Sequence, residues 1–551
     1  MIQTMKRYIQ LAVMAVICWT GANAQNGNLP SRSMTIEGAY NPTMTNAEKV
    51  MPVPDKRKNK NETPTVSFRT ESNLSEMPAR KPMEVFASNS DDIVTPRYWG
   101  LARLGYGLRN LHDVLFDFGW KISDNDLFRF SASADGWFSK PDGKWKSKMF
   151  NTTIDAGYEH SFKKAVIGLD ADITLRRYNF MEGCFMDSAK LAASNLDMNT
   201  KEGSLSGYIR STGKGGLSYH LEGSGEWMIR NGLVLNNVER SNKEGIVRIS
   251  AGAAKPLNVG SLSVDYRQKS VVYRWWGLDG CKYDDFSNFT LTPVWHYYDG
   301  TIKADAGFNM DVRTRAGNKF LMSPMATLLY SLNSSFNLQA ELTGGLEEYD
   351  MRTLAVISPY WAEEARIRDG YNVVNLALGA TYFQGSWLTL SAKAGYRHTI
   401  DEVFQTWGDS LIRYSLLKQQ SSNVLYVRLD ADMQFSDRAY LRTDITYNDY
   451  LGFYHGGKME LKPAFDINLY GFYNILPGLD AMLSYKLRAF HWVNGIAMPA
   501  VNDLALTVDY DYNDKLSFYV TLNHLAGGDF YYYSGYRCLK PAFMLGASYR
   551  F

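Results

Sequence analysis

Short and long connections alternate along the chain from residue 97 onward, and nothing else in the sequence constrains the fold as tightly. Ten short connections fall at 123–126, 160–164, 213–216, 258–261, 299–301, 333–335, 384–386, 436–438, 476–478 and 513–515. Longer ones lie between them, among them 181–202, 231–243, 275–285, 350–371, 401–421 and 526–540. Gly, Asn, Asp and Ser concentrate in the short set, which is the chemistry of tight turns between antiparallel strands. Each short turn therefore marks a hairpin. With one strand before the first pair and one after the last, the pattern predicts about 22 strands, or about 20 if a weak pair merges. The first strand, at 97–108, has the faintest pattern.

The segments between turns alternate in polarity, and this fixes their faces. Over 165–175, Ile167, Leu169, Ala171, Ile173 and Leu175 share one side while Asp170 and Asp172 share the other. Leu425, Val427, Leu429 and Met433 oppose Arg428, Asp430, Asp432 and Gln434; Phe465, Ile467 and Leu469 oppose Asp466 and Asn468; Leu504, Leu506 and Val508 oppose Asp509. A carboxylate facing lipid is expensive, so the charged set must line a wet interior and the apolar set must face hydrocarbon. The fold class that results is all-β, a transmembrane antiparallel up-and-down β-barrel over 96–551. Arg428, Asp430, Asp432, Asp466 and Asp509 are candidate luminal charges. They admit two readings: contacts for an ion or ligand, or opposite charges lacing adjoining strands of the wall, the second being the ordinary state of a charged lumen. The pairs Lys393 with Arg397, Arg442 with Asp444 and Lys486 with Arg488 fall under the same two readings. Trp275 and Trp276, Trp295 with Tyr297 and Tyr298, and Tyr531 to Tyr533 sit near strand ends, as an interfacial aromatic girdle requires.

The N-terminus has the layout of a signal peptide over 1–24: Lys6 and Arg7, an apolar run from Ile9 to Trp19, then Ala22-Asn23-Ala24 before Gln25. A lipid-modification signal at Cys18 is the competing reading, but Ile17 stands where that signal takes a small residue. Residues 25–95 are rich in Pro, Asn, Ser and Thr, carry the basic run Lys56, Arg57, Lys58 and Lys60, and read as an extended or disordered periplasmic leader. Within it Thr35, Ile36 and Glu37 form a candidate strand that pairs through its backbone with a partner or with the barrel wall. Beyond the N-terminus no stretch of about 20 apolar residues occurs, which excludes a helical membrane bundle. A formal net charge of +2 offers nothing to nucleic acid. Cleavage leaves Cys184, Cys281 and Cys538, too few and too scattered for a disulfide framework or a zinc site, with their pairing left open. The eight histidines show no ligand spacing and no nucleophile elbow, so neither cofactor, metal nor catalysis is expected.

Residues 541–551 form a last alternating strand, with Phe543, Leu545, Ala547, Tyr549 and Phe551 on one face. Tyr549 and Phe551 resemble the terminal signal read by the barrel-assembly machinery. Taken with the leader, the strand count and the polar lumen, the chain resembles the TonB-dependent receptors of bacterial outer membranes, by design rather than by specific motifs. The resemblance implies residence in the outer membrane of a Gram-negative cell with both termini periplasmic, contact with outer-membrane lipid, and an inner-membrane energiser or envelope lipoprotein as partner. It departs from that family in one respect: the leader is too short for the family's folded plug domain. The function implied is a transporter or receptor-like pore for a solute the sequence does not name; the alternative is a structural or accessory barrel of an envelope complex. A lumen this wide needs a filling, from the leader, from an in-folded loop such as 350–371, or from a partner.

Overall fold

The computed structural model describes residues 98–139, 147–179, 197–212, 216–231, 241–276, 283–315, 319–361, 367–407, 415–451, 462–493, 496–528, 530–533, 536–537 and 541–551. The strands in chain order are β1 (Tyr98–Gly107), β2 (His112–Lys121), β3 (Asp126–Ser139), β4 (Ser147–Ser161), β5 (Ala165–Asn179), β6 (Asp197–Ser211), β7 (Ser218–Asn231), β8 (Ser241–Pro256) and β9 (Ser261–Trp276). They continue with β10 (Phe286–Tyr298), β11 (Ile302–Arg313), β12 (Lys319–Asn333), β13 (Phe336–Glu347), β14 (Gly370–Gln384), β15 (Leu388–Trp407), β16 (Ser415–Ser436), β17 (Ala439–Leu451), β18 (Phe465–Leu476) and β19 (Leu479–Ala489). After a small hairpin of β20 (Trp492–Val493) and β21 (Ile496–Ala497) come β22 (Val501–Asp511) and β23 (Leu516–Asn523). A second small hairpin, β24 (Tyr531–Tyr533) with β25 (Tyr536–Arg537), precedes β26 (Ala542–Arg550). Among the described residues one α-helix, α1 (Met351–Ile357), lies between β13 and β14.

Leaving out the two small hairpins, the strands form one 22-stranded antiparallel sheet that closes where β1 pairs with both β2 and β26. Closure leaves no sheet edge facing lipid, where an unpaired backbone group has no water to bond. Each expected short turn joins two barrel strands, and its chemistry is visible where it is described. The Asp299 carboxylate accepts from the N–H groups of Thr301 and Ile302 at 2.9 and 2.7 Å. Asn513 does the same for Lys515 and Leu516, at 2.9 and 2.8 Å. Gly260 and Gly478 supply the left-handed residue, at φ 78° and 79°. The short turns share one rim with the start of β1 and the end of the chain, since the Gly100 N–H donates to the Phe551 carbonyl at 2.9 Å beside the Tyr98↔Trp120 pair.

The faces are those expected. Leu169, Ile173, Leu205, Leu378 and Leu545 stand exposed on the outer wall, while Asp170, Asp172 and Arg428 point inward. Two connections are shorter than expected. β6 begins at Asp197, inside the expected 181–202 connection, and β15 and β16 run to Trp407 and from Ser415, well into the expected 401–421 loop. Those extensions carry polar residues on both faces, which hides them from an alternation rule, yet they pair past a bulge between Thr399 and Glu402. Their inward Val403 and Leu417 are buried at 2% and 4% exposure against a segment that occupies the lumen.

Candidate functional site: the luminal segment between β13 and β14

The connection between β13 and β14 turns into the barrel, as one of the three fillings anticipated. Asp350 caps its helix: the carboxylate accepts the Thr353 N–H at 2.7 Å, satisfying a donor at the N-terminus of α1. Met351, Leu354 and Ala355 then repeat at helical spacing and are buried. They join Trp361, Ile367, Tyr349 and inward residues of the wall, Met228, Ile246, Val271, Tyr273, Phe286, Val403 and Leu417, in one hydrophobic cluster within the lumen. A luminal face that is apolar at these positions and charged elsewhere is what a packed insert requires, because apolar surface left facing water would forfeit about 25 cal/mol per Å².

One charge network from β6 to β9 lines α1. Asp350 meets Lys269 at 2.7 Å and Arg248 at 3.4 Å, and Glu244 accepts the Met351 N–H at 2.7 Å. Burial alone would raise the Asp350 carboxyl; the ammonium of Lys269, its hydrogen bond, the Arg248 guanidinium and the Thr353 N–H reverse that and hold it below the ordinary aspartate range. Arg248 also bonds Glu226 at 2.7 Å, and Arg352 pairs with the same Glu226 and reaches Glu202 at 3.5 Å. Buried charges of this kind persist only when paired and hydrogen-bonded.

The two legs of the segment are tied to each other and to one wall. Tyr349 N–H donates to the Asp369 carboxylate at 3.2 Å, Arg315 donates to the Tyr349 carbonyl at 2.7 Å and to Asp369 at 3.4 Å, and Asn288 donates to Glu348 at 2.8 Å and to Asp369 at 3.1 Å. The far end touches other strands: Arg230 donates to the carbonyls of Pro359 and Trp361 at 2.9 and 3.1 Å and lies over the Trp361 ring at 4.6 Å, while Tyr178 donates to Pro359 at 3.2 Å. Across the lumen, Gln405 donates to the Ile357 carbonyl. The segment thus reaches β5 and β7 on one side and β15 on the other.

Nearer the short-turn rim the lumen is open to water. Arg428 bonds Asp430 on its own strand at 2.9 Å, with the two side chains 53% and 38% exposed. Asp432 pairs instead with Arg442 across β16 and β17; Asp466 pairs with Arg488 across β18 and β19 at 3.0 Å, at the ends of those strands away from their short turn. Asp509 stands on β22, opposite Asp480 and Tyr519. The candidate luminal charges are therefore spread along the wall rather than gathered: Arg428 and Asp430 pair within one strand, and Asp432 and Asp466 pair with arginines of the neighbouring strands. Asp444 accepts a hydrogen bond from Asn468 at 2.9 Å. His398 and His524 contact Asn423 and Asp503 at 2.8 and 2.9 Å, strand to strand. Among the described residues no three His, Cys, Asp or Glu side chains are grouped so as to hold a metal ion. Tyr549 and Phe551 face outward at the seam, stacked at 6.2 Å. Trp295 and Tyr297 stack at 5.7 Å close to the short-turn rim. Thr35, Ile36 and Glu37, the basic run at 56–60, and Cys184, Cys281 and Cys538 lie outside the described residues, as do the side chains of Trp275, Trp276 and Tyr531 to Tyr533.

The convergence of Arg248, Lys269 and Asp350, and of Glu202, Glu226 and Arg352, has no counterpart in linear spacing. A local signal for the helix does exist: Asp350 three residues before Thr353, followed by the apolar positions of α1, is an N-cap pattern inside a loop.

A closed 22-stranded barrel with an apolar outer wall and a charged lumen is an outer-membrane-type β-barrel. Solved structures share it. The siderophore receptor PirA from Acinetobacter baumannii aligns over 84% of this chain and 81% of its own, at 12% identity and TM-score 0.65. The copper transporter OprC aligns over 82% and 80%, at 12% identity and TM-score 0.62. The ferripyoverdine receptor of the outer membrane of Pseudomonas aeruginosa aligns over 83% and 72%, at 11% identity and TM-score 0.62. At such identities the likeness is one of fold. No family model matches the sequence, and no curated protein is similar to it.

Proposed function

We propose that the protein is an outer-membrane transport barrel of receptor type, which admits a small solute through a water-filled lumen that its own 348–369 segment stoppers. The observation that carries this reading is the division of the lumen: a solvated, charge-lined half at the short-turn rim against a half packed by α1 and its hydrophobic cluster. A barrel with a purely structural role has no use for a lumen kept wet and charged along half its length. The siderophore receptors and the copper transporter that share the fold support the same class of activity. In this reading the short-turn rim and both termini are periplasmic, residues 1–24 are a signal peptide, 25–95 a periplasmic leader and 96–551 the barrel. The barrel-assembly machinery reads Tyr549 and Phe551; Thr35, Ile36 and Glu37 offer a strand to an inner-membrane energiser or an envelope lipoprotein. Arg428, Asp430, Asp432, Asp466 and Asp509 set the field of the pathway rather than a binding site, and catalysis has no assigned residues.

A structural or accessory role is the second reading, favoured by the size of the hydrophobic cluster, which suits a stopper that never leaves. The test is solute flux and single-channel conductance of the full chain in planar bilayers, beside a variant in which 351–361 is replaced by a short Gly-Ser linker, with heat-modifiable gel migration certifying the folded barrel. The transport reading expects large, steady conductance from the folded excised variant. A folded excised variant that stays silent would favour the structural reading.

A further inference from the structure

We infer that residues 351–361 are a charge-latched gate, moving as one piece on a base formed by 348–350 and 367–369 that stays attached to the wall; the inference rests on the transport reading above. Base and tip are tied to different parts of the wall. In the base, Tyr349 and Asp369 are bonded to each other, and Arg315, 5% exposed, bonds both, so the two legs form a closed stem on β10 and β11 that need not open when the tip moves. Arg313 adds a bond to the Asp369 carbonyl at 2.8 Å. The tip packs into the hydrophobic cluster through Met351, Leu354, Ala355 and Trp361, and its Met351 N–H donates to Glu244 at 2.7 Å. It is attached to the remaining strands by side chains that reach it one at a time: Arg230 and Tyr178 on the carbonyls of Pro359 and Trp361, Gln405 on the carbonyl of Ile357, and Glu226 with Glu202 on Arg352.

Of these, the Arg352 contact is the latch. Its guanidinium is 25% exposed and Arg248, which shares Glu226 with it, is 39% exposed, so this contact borders the wet half of the lumen, whereas the Arg315 base does not. Solvent therefore reaches the latch, while Met351, Leu354, Ala355 and Trp361 of the tip are buried. Charge-assisted bonds are also directional and short-ranged, so they release abruptly once stretched, while the hydrophobic cluster loses contact gradually. A tip held by a few strong, water-accessible bonds on a fixed stem has two discrete positions, which is what a gate needs.

The experiment uses the full chain in planar bilayers, in a background carrying Cys184→Ser, Cys281→Ser and Cys538→Ser. Arg352→Met and Glu226→Gln each remove the latch and are expected to raise open probability about tenfold or more, the scale on which one lost charge-assisted contact shifts a two-state equilibrium. Adding Ile357→Cys with Gln405→Cys to the Arg352→Met variant, and bridging the two thiols with a short bifunctional reagent, pins the tip to β15; conductance is expected to return to the closed level. Latch variants that stay as closed as the parent while the 351–361 excision conducts would overturn the gate and leave transport standing. A bridged variant that conducts as freely as the unbridged one would overturn it too, since the pathway then bypasses the tip. A folded excision that never conducts removes the transport reading itself, and the gate with it.

Discussion

The ring of Tyr519 lies flat across Gly546, at a point where a Cβ on Gly546 would come within 2.2 Å of the ring. The two residues are paired in register across β23 and β26, and the ring continues over Gly105 of β1, where a Cβ would meet the hydroxyl at 2.3 Å. Beyond the two glycines the hydroxyl contacts Arg103 and Asp113 at 3.2 Å each, and Arg103 and Asp113 are themselves an ion pair. One side chain therefore spans the seam from β23 over β26 and β1 to β2, across the place where the barrel's first and last strands meet.

A methyl at Gly546 forces the ring off the seam and breaks its contacts with Arg103 and Asp113. Gly546→Ala is expected to cost about 1–3 kcal/mol and to lower the temperature at which the barrel loses its compact gel mobility. Tyr208 lies over Gly168 with the same 2.2 Å clearance and bonds Glu159 at 2.6 Å, but within β4 to β6, away from the seam. Gly168→Ala is the control. If the seam matters as a closure, Gly546→Ala must destabilise more than Gly168→Ala; equal losses would mean both notches are ordinary wall packing.

Asp350 ties cap and charge cluster together, and its pH dependence has a definite sign. Its carboxyl is held below the ordinary range in the folded protein, so the stability it contributes is complete above the unfolded value of about 3.9 and is lost as pH falls from there toward the folded value. Protection of the α1 backbone amides from hydrogen exchange should therefore weaken below about pH 4. Asp350→Asn keeps the cap and removes the charge; it should abolish that pH dependence while retaining protection at neutral pH. Loss of protection at neutral pH in Asp350→Asn would show instead that the charge, not the cap, holds the helix.

The wall was legible in the sequence because its two rules are local. Alternation put Leu169 and Ile173 outside and Asp170 and Asp172 inside, and short Gly, Asn and Asp turns marked the hairpins, so strand number followed by counting. The gate was legible only as a candidate loop. Lys269 and Asp350 are far apart in the chain and meet only because closure brings β9 and the 348–369 segment to one place. Glu226 and Glu202 look like any other inward carboxylates of a wet lumen until Arg352 arrives between them. The extensions of β15 and β16 were missed for a related reason: outside the bilayer both faces of a strand can be polar, and the alternation that betrays a membrane strand disappears.

The exposed pairs of the open half should behave differently from the buried ones. Arg442 and Asp432 are 48% and 53% exposed, and such a pair contributes about 0–1 kcal/mol. Arg442→Gln should leave thermal stability nearly unchanged yet, once the 351–361 excision opens the lumen, shift reversal potential toward cation preference by removing a positive charge from the wall. Reversal potentials under a salt gradient decide it. An unchanged potential would mean ions do not pass this stretch of wall.

The strand faces themselves can be tested one residue apart. Ile173 stands on the outer wall, 47% exposed, and Thr174 faces inward, its hydroxyl 3.3 Å from that of Thr153. Arginine placed outward near the middle of a membrane strand costs about 2–4 kcal/mol, because hydrocarbon offers the guanidinium neither water nor a counter-charge. Placed inward it meets a lumen that already carries Asp172 on the same strand and Asp155 on the adjoining β4. Ile173→Arg should therefore lower the denaturant midpoint in lipid vesicles by the amount that such a cost implies, and Thr174→Arg should lower it by much less. The physical reason for the difference is the solvent on each side of the wall, so repeating the pair in detergent, where the outer face is looser and wetter, should narrow the gap. A larger loss from Thr174→Arg than from Ile173→Arg would invert the assignment of faces for β5, and with it the register on which the lumen between β4 and β6 is built.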